Sequence, residues 1–102
     1  MLFRSTGAAL DWAVAKCEGL RTYVEVVEGF KPSTDWAQGG PIIEREKLDV
    51  FCSGNVWDAS TGDRHPNVIK TGTTPLIAAM RCYVASKLGD ELEVPDELLQ
   101  TA

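Results

Sequence analysis

Residues 73–89, TTPLIAAMRCYVASKLG, decide the fold of this 102-residue chain. Thr73 or Thr74 can cap a helix, Pro75 suits its first turn, and Gly89 can end it. Apolar side chains recur at helical spacing and form a stripe for burial, with Leu76 and Tyr83 beside it: Ile77, Met80, Val84 and Leu88. The stretch therefore predicts a long helix with one face packed against other elements.

The N-terminal half predicts a helix, a strand and two short helical segments. Thr6 can cap a helix over residues 8–18, and Gly19 can end it. Residues 21–27, RTYVEVV, are rich in β-branched and aromatic side chains and predict a strand. In residues 31–41, KPSTDWAQGGP, Ser33 or Thr34 can cap a short turn of helix that the two adjacent glycines break. Pro41 then opens a second short helix, which is expected to reach Leu48.

The remaining segments predict a small sheet and a terminal helix. Residues 49–52 and 56–59 read as two strands joined by the turn Ser53-Gly54-Asn55. Residues 60–72 predict a polar loop, and residues 94–99 predict a short helix. The order of elements predicts a single α+β domain over residues 1–102. Its core is a small three-stranded antiparallel or mixed sheet packed with the N- and C-terminal helices.

The composition bounds the classes of function. The 44% apolar and 25% charged content is typical of a globular protein. A net charge of −5 argues against a protein that binds nucleic-acid polymers through a basic face. Because no apolar run approaches the ~20 residues of a membrane helix and no signal-peptide pattern occurs, we expect a cytoplasmic protein. Cys17, Cys52 and Cys82 lack C-x-x-C spacing and are expected to be buried free thiols.

No catalytic, metal or cofactor motif is assembled. His65 is the single histidine, and the chain contains no nucleophile elbow, H-E-x-x-H or H-x-E pattern. We therefore expect a protein that is not an enzyme and that has no catalytic residues, no metal and no cofactor.

One candidate ligand site can be argued from the loops that open helices. Lys70-Thr71-Gly72-Thr73-Thr74-Pro75 leads into the long helix, where free backbone N–H groups and the helix dipole favour an anion. An ordinary threonine cap is the alternative explanation of this segment. The paired glycines Gly39 and Gly40, after Gln38, allow close approach of a ligand or merely form a turn.

Aromatic and basic side chains complete this candidate site. Trp36 and Trp57 can stack on a base, although core packing explains Trp36 equally simply and is the simpler explanation of Trp57. Arg45, Arg64 and His65 can supply a basic lining, although each alone is typical of solvated surface. Together these residues predict a pocket for a small phosphorylated or nucleotide-type ligand, lined by Trp36, Gln38, Gly39, Gly40, Arg45, Trp57, Arg64, His65, Lys70, Thr71, Thr73 and Thr74.

Three stretches resemble the small phage proteins of the NinX-like family: TGAALDWAVAKCE (6–18), STDWAQGGPIIERE (33–46) and TPLIAAMRCYVASKL (74–88), the last followed by Gly89-Asp90-Glu91. The resemblance covers most of the chain in the same order, and residues 50–71 match loosely. It implies a phage origin and an accessory role in the cytoplasm of an infected bacterium, and it brings no activity. A similar group of phage proteins is an α-β-α sandwich, which implies helices on both faces of the sheet.

Two functions of different classes follow as hypotheses. The first is a non-enzymatic module, expected to be a homo-oligomer with shared pockets, that sequesters a nucleotide-type ligand such as a host anti-phage defence signal. The alternative is an adaptor that inhibits a host protein through an acidic, tryptophan-containing surface. Its acidic residues would be Glu18, Glu25, Glu28, Asp90, Glu91, Glu93, Asp96 and Glu97, although a solvated face is the default explanation of such charges.

Overall fold

A computed structural model of the chain describes residues 7–19, 29–64 and 67–89. Its elements, in chain order, are α1 (Gly7–Cys17), α2 (Trp36–Glu46), β1 (Asp49–Ser53), β2 (Val56–Ser60), β3 (Ile69–Gly72) and α3 (Pro75–Leu88). The predicted α+β class is confirmed, since an N-terminal and a C-terminal helix flank a three-stranded antiparallel sheet. The strand predicted over residues 21–27 and the helix predicted over 94–99 lie outside the described residues.

The sheet has the order β1-β2-β3. The predicted hairpin of β1 and β2 is confirmed, and its tight turn connects the facing residues Ser53 and Val56. The expectation of a loop throughout residues 60–72 is wrong, because residues 69–72 pair with β2 and form β3. Strand β3 is only four residues long, and its sequence, IKTG, lacks the alternation of apolar and polar residues that predicts a strand. Its one large apolar residue, Ile69, is 58% exposed. Its strand conformation depends on pairing with β2 and packing on α3, which sequence pattern does not reveal.

The long helix α3 is the centre of the fold. It contacts all three strands as well as α1 and α2. Its predicted bounds are confirmed, with Thr74 as the N-cap and Gly89 as the C-cap. Burial extends well beyond the expected stripe to Ala78, Ala79 and Cys82, because the sheet and the other helices enclose this helix from several directions. Leu88, expected to be buried, is 40% exposed because it lies in the last turn.

Helix α1 packs against α3 through a set of fully buried small and apolar side chains: Ala9, Leu10, Ala13 and Val14. The same helix buries one carboxylate, that of Asp11, which is 5% exposed. Asp11 Oδ1 accepts a hydrogen bond of 2.9 Å from the backbone N–H of Ser33. This contact ties the loop before α2 to the N-terminal helix.

Helix α2 is continuous, and the break expected at Gly39-Gly40 is wrong. Its cap is Asp35, which accepts a hydrogen bond from the Ala37 N–H at 3.0 Å, in place of the expected Ser33 or Thr34. Gly39 serves close packing: a Cβ there would lie 2.6 Å from Leu76 Cδ2 and closer still to the Pro32 carbonyl oxygen. Pro41 lies inside α2 and has no backbone N–H, so the helix lacks one hydrogen bond there. Capping by Asp35 and burial of the inner face of α2 offset this loss.

All three cysteines are free thiols. Cys82 is buried and Cys17 is half-buried, and burial raises the pKa of each thiol to about 11. The expectation of burial is wrong for Cys52, which is exposed near the end of β1 beside the hairpin turn.

Candidate functional site

A pocket of about 220 Å³ lies where the loop before α2 meets the first turn of α3. The close approach of Gly39 to Leu76 brings the two helices together beside it. The lining residues come from both segments: Ser33, Thr34, Trp36, Thr74, Pro75 and Leu76. The pocket therefore combines a helix N-terminus, two hydroxyl-bearing loop residues and an indole ring.

Trp36 is the aromatic wall of this pocket. It is the first residue of α2 and is 56% exposed. A Cβ at Gly40, one turn further along, would lie 4.0 Å from the ring atom Cε3, so the ring passes over that glycine. An exposed indole held against its own helix offers a surface on which a planar ring can stack.

Ser33 is the buried polar wall. The residue is 1% exposed, and its Oγ has no hydrogen-bond partner among the residues described. Burial raises the pKa of the neighbouring Asp11 carboxyl, and the backbone and side chain of Ser33 act in the opposite direction. The hydroxyl is thus close to that carboxyl without reaching hydrogen-bond geometry. Because buried polar groups are almost always paired, this hydroxyl is a candidate partner for a ligand atom that displaces the atoms now burying it.

The first turn of α3 offers fewer free donors than the sequence suggested. Thr74 Oγ1 accepts a hydrogen bond from the Ile77 N–H at 3.1 Å, and Pro75 has no N–H. The Ala78 N–H already donates to the Thr74 carbonyl at 3.0 Å. Within the described part of the chain, this leaves the Leu76 N–H as the amide of this turn without a partner. The anion attraction expected here rests on one amide and the helix dipole.

The predicted cations Arg45 and Arg64 lie at the opposite end of α3. Arg45 forms a bidentate pair with Glu18, with contacts of 2.6 and 3.0 Å, and its Nε lies 3.0 Å from Glu46. Arg64 Nη1 lies 3.6 Å from Glu46, and Lys87 Nζ lies 3.4 Å from it. We call these residues, together with the Tyr83 hydroxyl that donates to Glu18, the Glu46 cluster.

Interactions within the Glu46 cluster keep its two carboxylates, Glu18 and Glu46, in the charged form. The hydrogen bond from Arg45 lowers the pKa of Glu18. Burial alone would raise the pKa of Glu46, but Arg45 and Lys87 together hold it below its ordinary value. Burial and the Glu18 contact raise the pKa of Tyr83, so its hydroxyl stays protonated. The cluster joins α1, α2, α3 and the loop after β2 through ionised side chains.

The other predicted site residues do not line this pocket. Gln38 closes the loop before α2, since its Nε2 donates to the Gly29 carbonyl and its Oε1 accepts from the Lys31 N–H. Gly40 lies under the Trp36 ring. Trp57 packs against the core, and Thr73 is exposed.

Two more of the predicted site residues, Lys70 and Thr71, lie on strand β3. The Thr71 hydroxyl donates to Asp58 at 2.7 Å. Lys70 lines a different pocket, of about 270 Å³, beside the C-terminal half of α3. His65 lies outside the described residues.

The structure thus brings together Trp36 and Thr74, with Gly39 packed beside them. It adds four lining residues that sequence reasoning did not place in the site, Ser33, Thr34, Pro75 and Leu76. The only sequence signal for Ser33 and Thr34 was their suitability as helix caps, and neither caps α2.

Among the described residues, no group of three or more His, Cys, Asp or Glu side chains is placed to hold a metal ion. None of the described helices has both the length and the apolar character needed to cross a membrane.

No curated protein matches this chain. The family model described as "Bacteriophage P22, NinX" matches residues 5–87. This span includes every residue that lines the pocket between the loop before α2 and the first turn of α3. The chain therefore belongs to the NinX family of phage proteins.

Proposed function

We propose that this protein is a non-enzymatic binding module that holds a small nucleotide-type ligand in the pocket lined by Ser33, Trp36 and Leu76. Its role in an infected bacterium would be to sequester a host anti-phage defence signal in the cytoplasm. The observation that carries the proposal is the exposed Trp36 indole beside a buried, unpartnered Ser33 hydroxyl. Membership of a phage family supports a role during infection.

The chemistry of a nucleobase suits these walls. A base stacked on Trp36 gains about 1–3 kcal/mol, whatever its identity. The edge of the base carries acceptors and donors for the Leu76 N–H and the Ser33 hydroxyl. A phosphate attached to it would lie near the positive end of the α3 dipole.

The size of the pocket limits what it encloses. Its volume of about 220 Å³ is below the range of roughly 300–1,000 Å³ typical of drug-sized ligands. We expect it to enclose the base while the sugar and phosphate remain outside. A second copy of the chain can enlarge such an open site, which is why we retain the expectation of a homo-oligomer.

Thermal denaturation against a panel of nucleotides and cyclic nucleotides tests this proposal. A ligand at 100 times its Kd stabilises the native state by about 2.7 kcal/mol, which raises the Tm of a domain of this size by roughly 10 °C or more. Trp36→Ala should abolish the shift. Phe51→Ala, which removes another exposed aromatic side chain from the sheet, is the matched control and should retain it. The proposal fails if no nucleotide raises the Tm, or if both variants respond equally.

The adaptor hypothesis remains the second proposal, since an exposed Trp36 also suits a protein interface. Of its acidic residues, Glu18 is the one within the described residues, and it is paired with Arg45. Capture of a host protein that depends on Trp36, without any nucleotide response, would favour the adaptor.

A further inference from the structure

Two cations converge on one carboxylate oxygen at the end of α3 that lies away from the pocket. Arg64 Nη1 and Lys87 Nζ lie 3.6 and 3.4 Å from the same atom, Glu46 Oε1. Arg64 belongs to the loop after β2, and Lys87 to the last turn of α3. Because both contacts end on one oxygen, two like charges from different elements are held close to each other.

Neither cation is tightly engaged by that carboxylate. Charge-assisted hydrogen bonds of this kind are usually about 2.7–2.9 Å long, shorter than both contacts. The other oxygen of Glu46 is held by Arg45 at 3.0 Å, and Arg45 also forms its bidentate pair with Glu18. Arg45 is therefore committed to the protein. Arg64 also donates from its Nε to the Thr61 carbonyl at 3.4 Å, but its terminal nitrogens and the Lys87 ammonium retain donors for another acceptor.

The side chains of Arg64 and Lys87 lie on the outside of the cluster. The side chains of Arg64 and Lys87 are 44% and 46% exposed, whereas that of Glu46 is 13% exposed. The two cations thus reach solvent over a carboxylate that lies beneath them. Counted over the described residues, the cluster contains three cations, Arg45, Arg64 and Lys87, and two carboxylates, Glu18 and Glu46, in a protein of net charge −5.

We propose that Arg64 and Lys87 form a binding site for an oxyanion of the phosphate class. The guanidinium presents paired N–H donors that match two phosphate oxygens, and the ammonium adds a mobile point charge. Releasing the exposed contacts to Glu46 costs little, because such surface pairs contribute about 0–1 kcal/mol. The site lies about 20 Å along α3 from the Trp36 pocket, so it does not depend on the proposed function.

Titration of isotopically labelled protein with inorganic phosphate at constant ionic strength, followed by NMR, tests the site. We expect saturable shifts at Arg64 and Lys87. Arg64→Ala and Lys87→Ala should each weaken binding at least about tenfold, the effect of losing one charged hydrogen bond. Lys31→Ala removes the same charge from an exposed loop residue and should leave binding unchanged. A phosphate monoester, run in parallel, shows whether a free anion or an esterified group is preferred.

Glu46→Gln separates an oxyanion site from an ion network that only joins helices. It keeps the side-chain size but removes the charge that competes with phosphate, so we expect phosphate to bind several-fold more tightly. A purely structural network predicts lower stability and no phosphate binding in either protein, and that result would overturn the proposal. Trp36→Ala should bind phosphate normally, which keeps this test distinct from that of the nucleotide pocket.

Discussion

Gly39→Ala is expected to destabilise the protein, because Gly39 sits where α2 touches both the preceding loop and α3. The added Cβ would lie 2.6 Å from Leu76 Cδ2 and closer still to the Pro32 carbonyl oxygen. Leu76 can rotate, but Pro32 is fully buried and its carbonyl belongs to the backbone. Relieving such overlap costs about 1–3 kcal/mol.

The neighbouring glycine provides a matched control. Alanine in a helix interior is favoured over glycine by about 0.5–1 kcal/mol, and this gain applies at both positions. A Cβ at Gly40 meets no atom closer than 4.0 Å, so Gly40→Ala should stabilise the protein by that amount. At Gly39 the steric cost exceeds the gain, and we expect a net destabilisation of about 1–2 kcal/mol.

Thermal and urea denaturation followed by circular dichroism measure both variants. With about 4–8 °C per kcal/mol for a domain of this size, Gly39→Ala should lower the Tm by roughly 10 °C and Gly40→Ala should raise it by a few degrees. Equal shifts of the same sign would refute the packing argument. They would mean that the two glycines contribute only through backbone flexibility.

Three other perturbations have definite expected outcomes. Thr74→Ala removes the N-cap of α3 and should cost about 1 kcal/mol in urea denaturation, whereas Thr73→Ala should change stability by less than about 0.5 kcal/mol. Arg45→Lys cannot keep the bidentate contact, so carboxyl NMR should show the pKa of Glu18 rising towards its ordinary value. Since the lowered pKa of Glu18 stabilises the fold above its ordinary titration range, the variant should lose less stability than the parent as the pH falls. A thiol reagent should label Cys52 rapidly in the native state and spare the other two cysteines, as mass spectrometry would show.

The parts of the fold that sequence predicted are those fixed by local chemistry. Helix α3 was bounded correctly because Thr74, Pro75 and Gly89 are strong capping and terminating residues. The β1–β2 hairpin followed from its turn residues. Two elements were predicted wrongly, α2 as two short helical segments and β3 as a loop, because tertiary contacts override local preference. The glycines of α2 look like a helix break but permit close packing, and β3 is a strand only because β2 pairs with it.

The candidate site was predicted only in part for a similar reason. Sequence identified Trp36 and Thr74 as binding residues, and the structure places them at one pocket. It could not show that Arg45 and Arg64 would meet Glu46, far from that pocket, since ion pairing depends on the three-dimensional arrangement. Nor could it show that Ser33 is buried without a partner, because an adjacent Ser-Thr pair is normally read as a helix cap.

Adenosine monophosphate titrated into isotopically labelled protein tests the central proposal most directly, with backbone amide and indole N–H shifts as the readout. Saturable shifts are expected at the amides of Ser33 and Leu76 and at the indole N–H of Trp36. Shifts confined to other residues, or unchanged spectra with adenosine monophosphate and every other nucleotide of the panel, would contradict it.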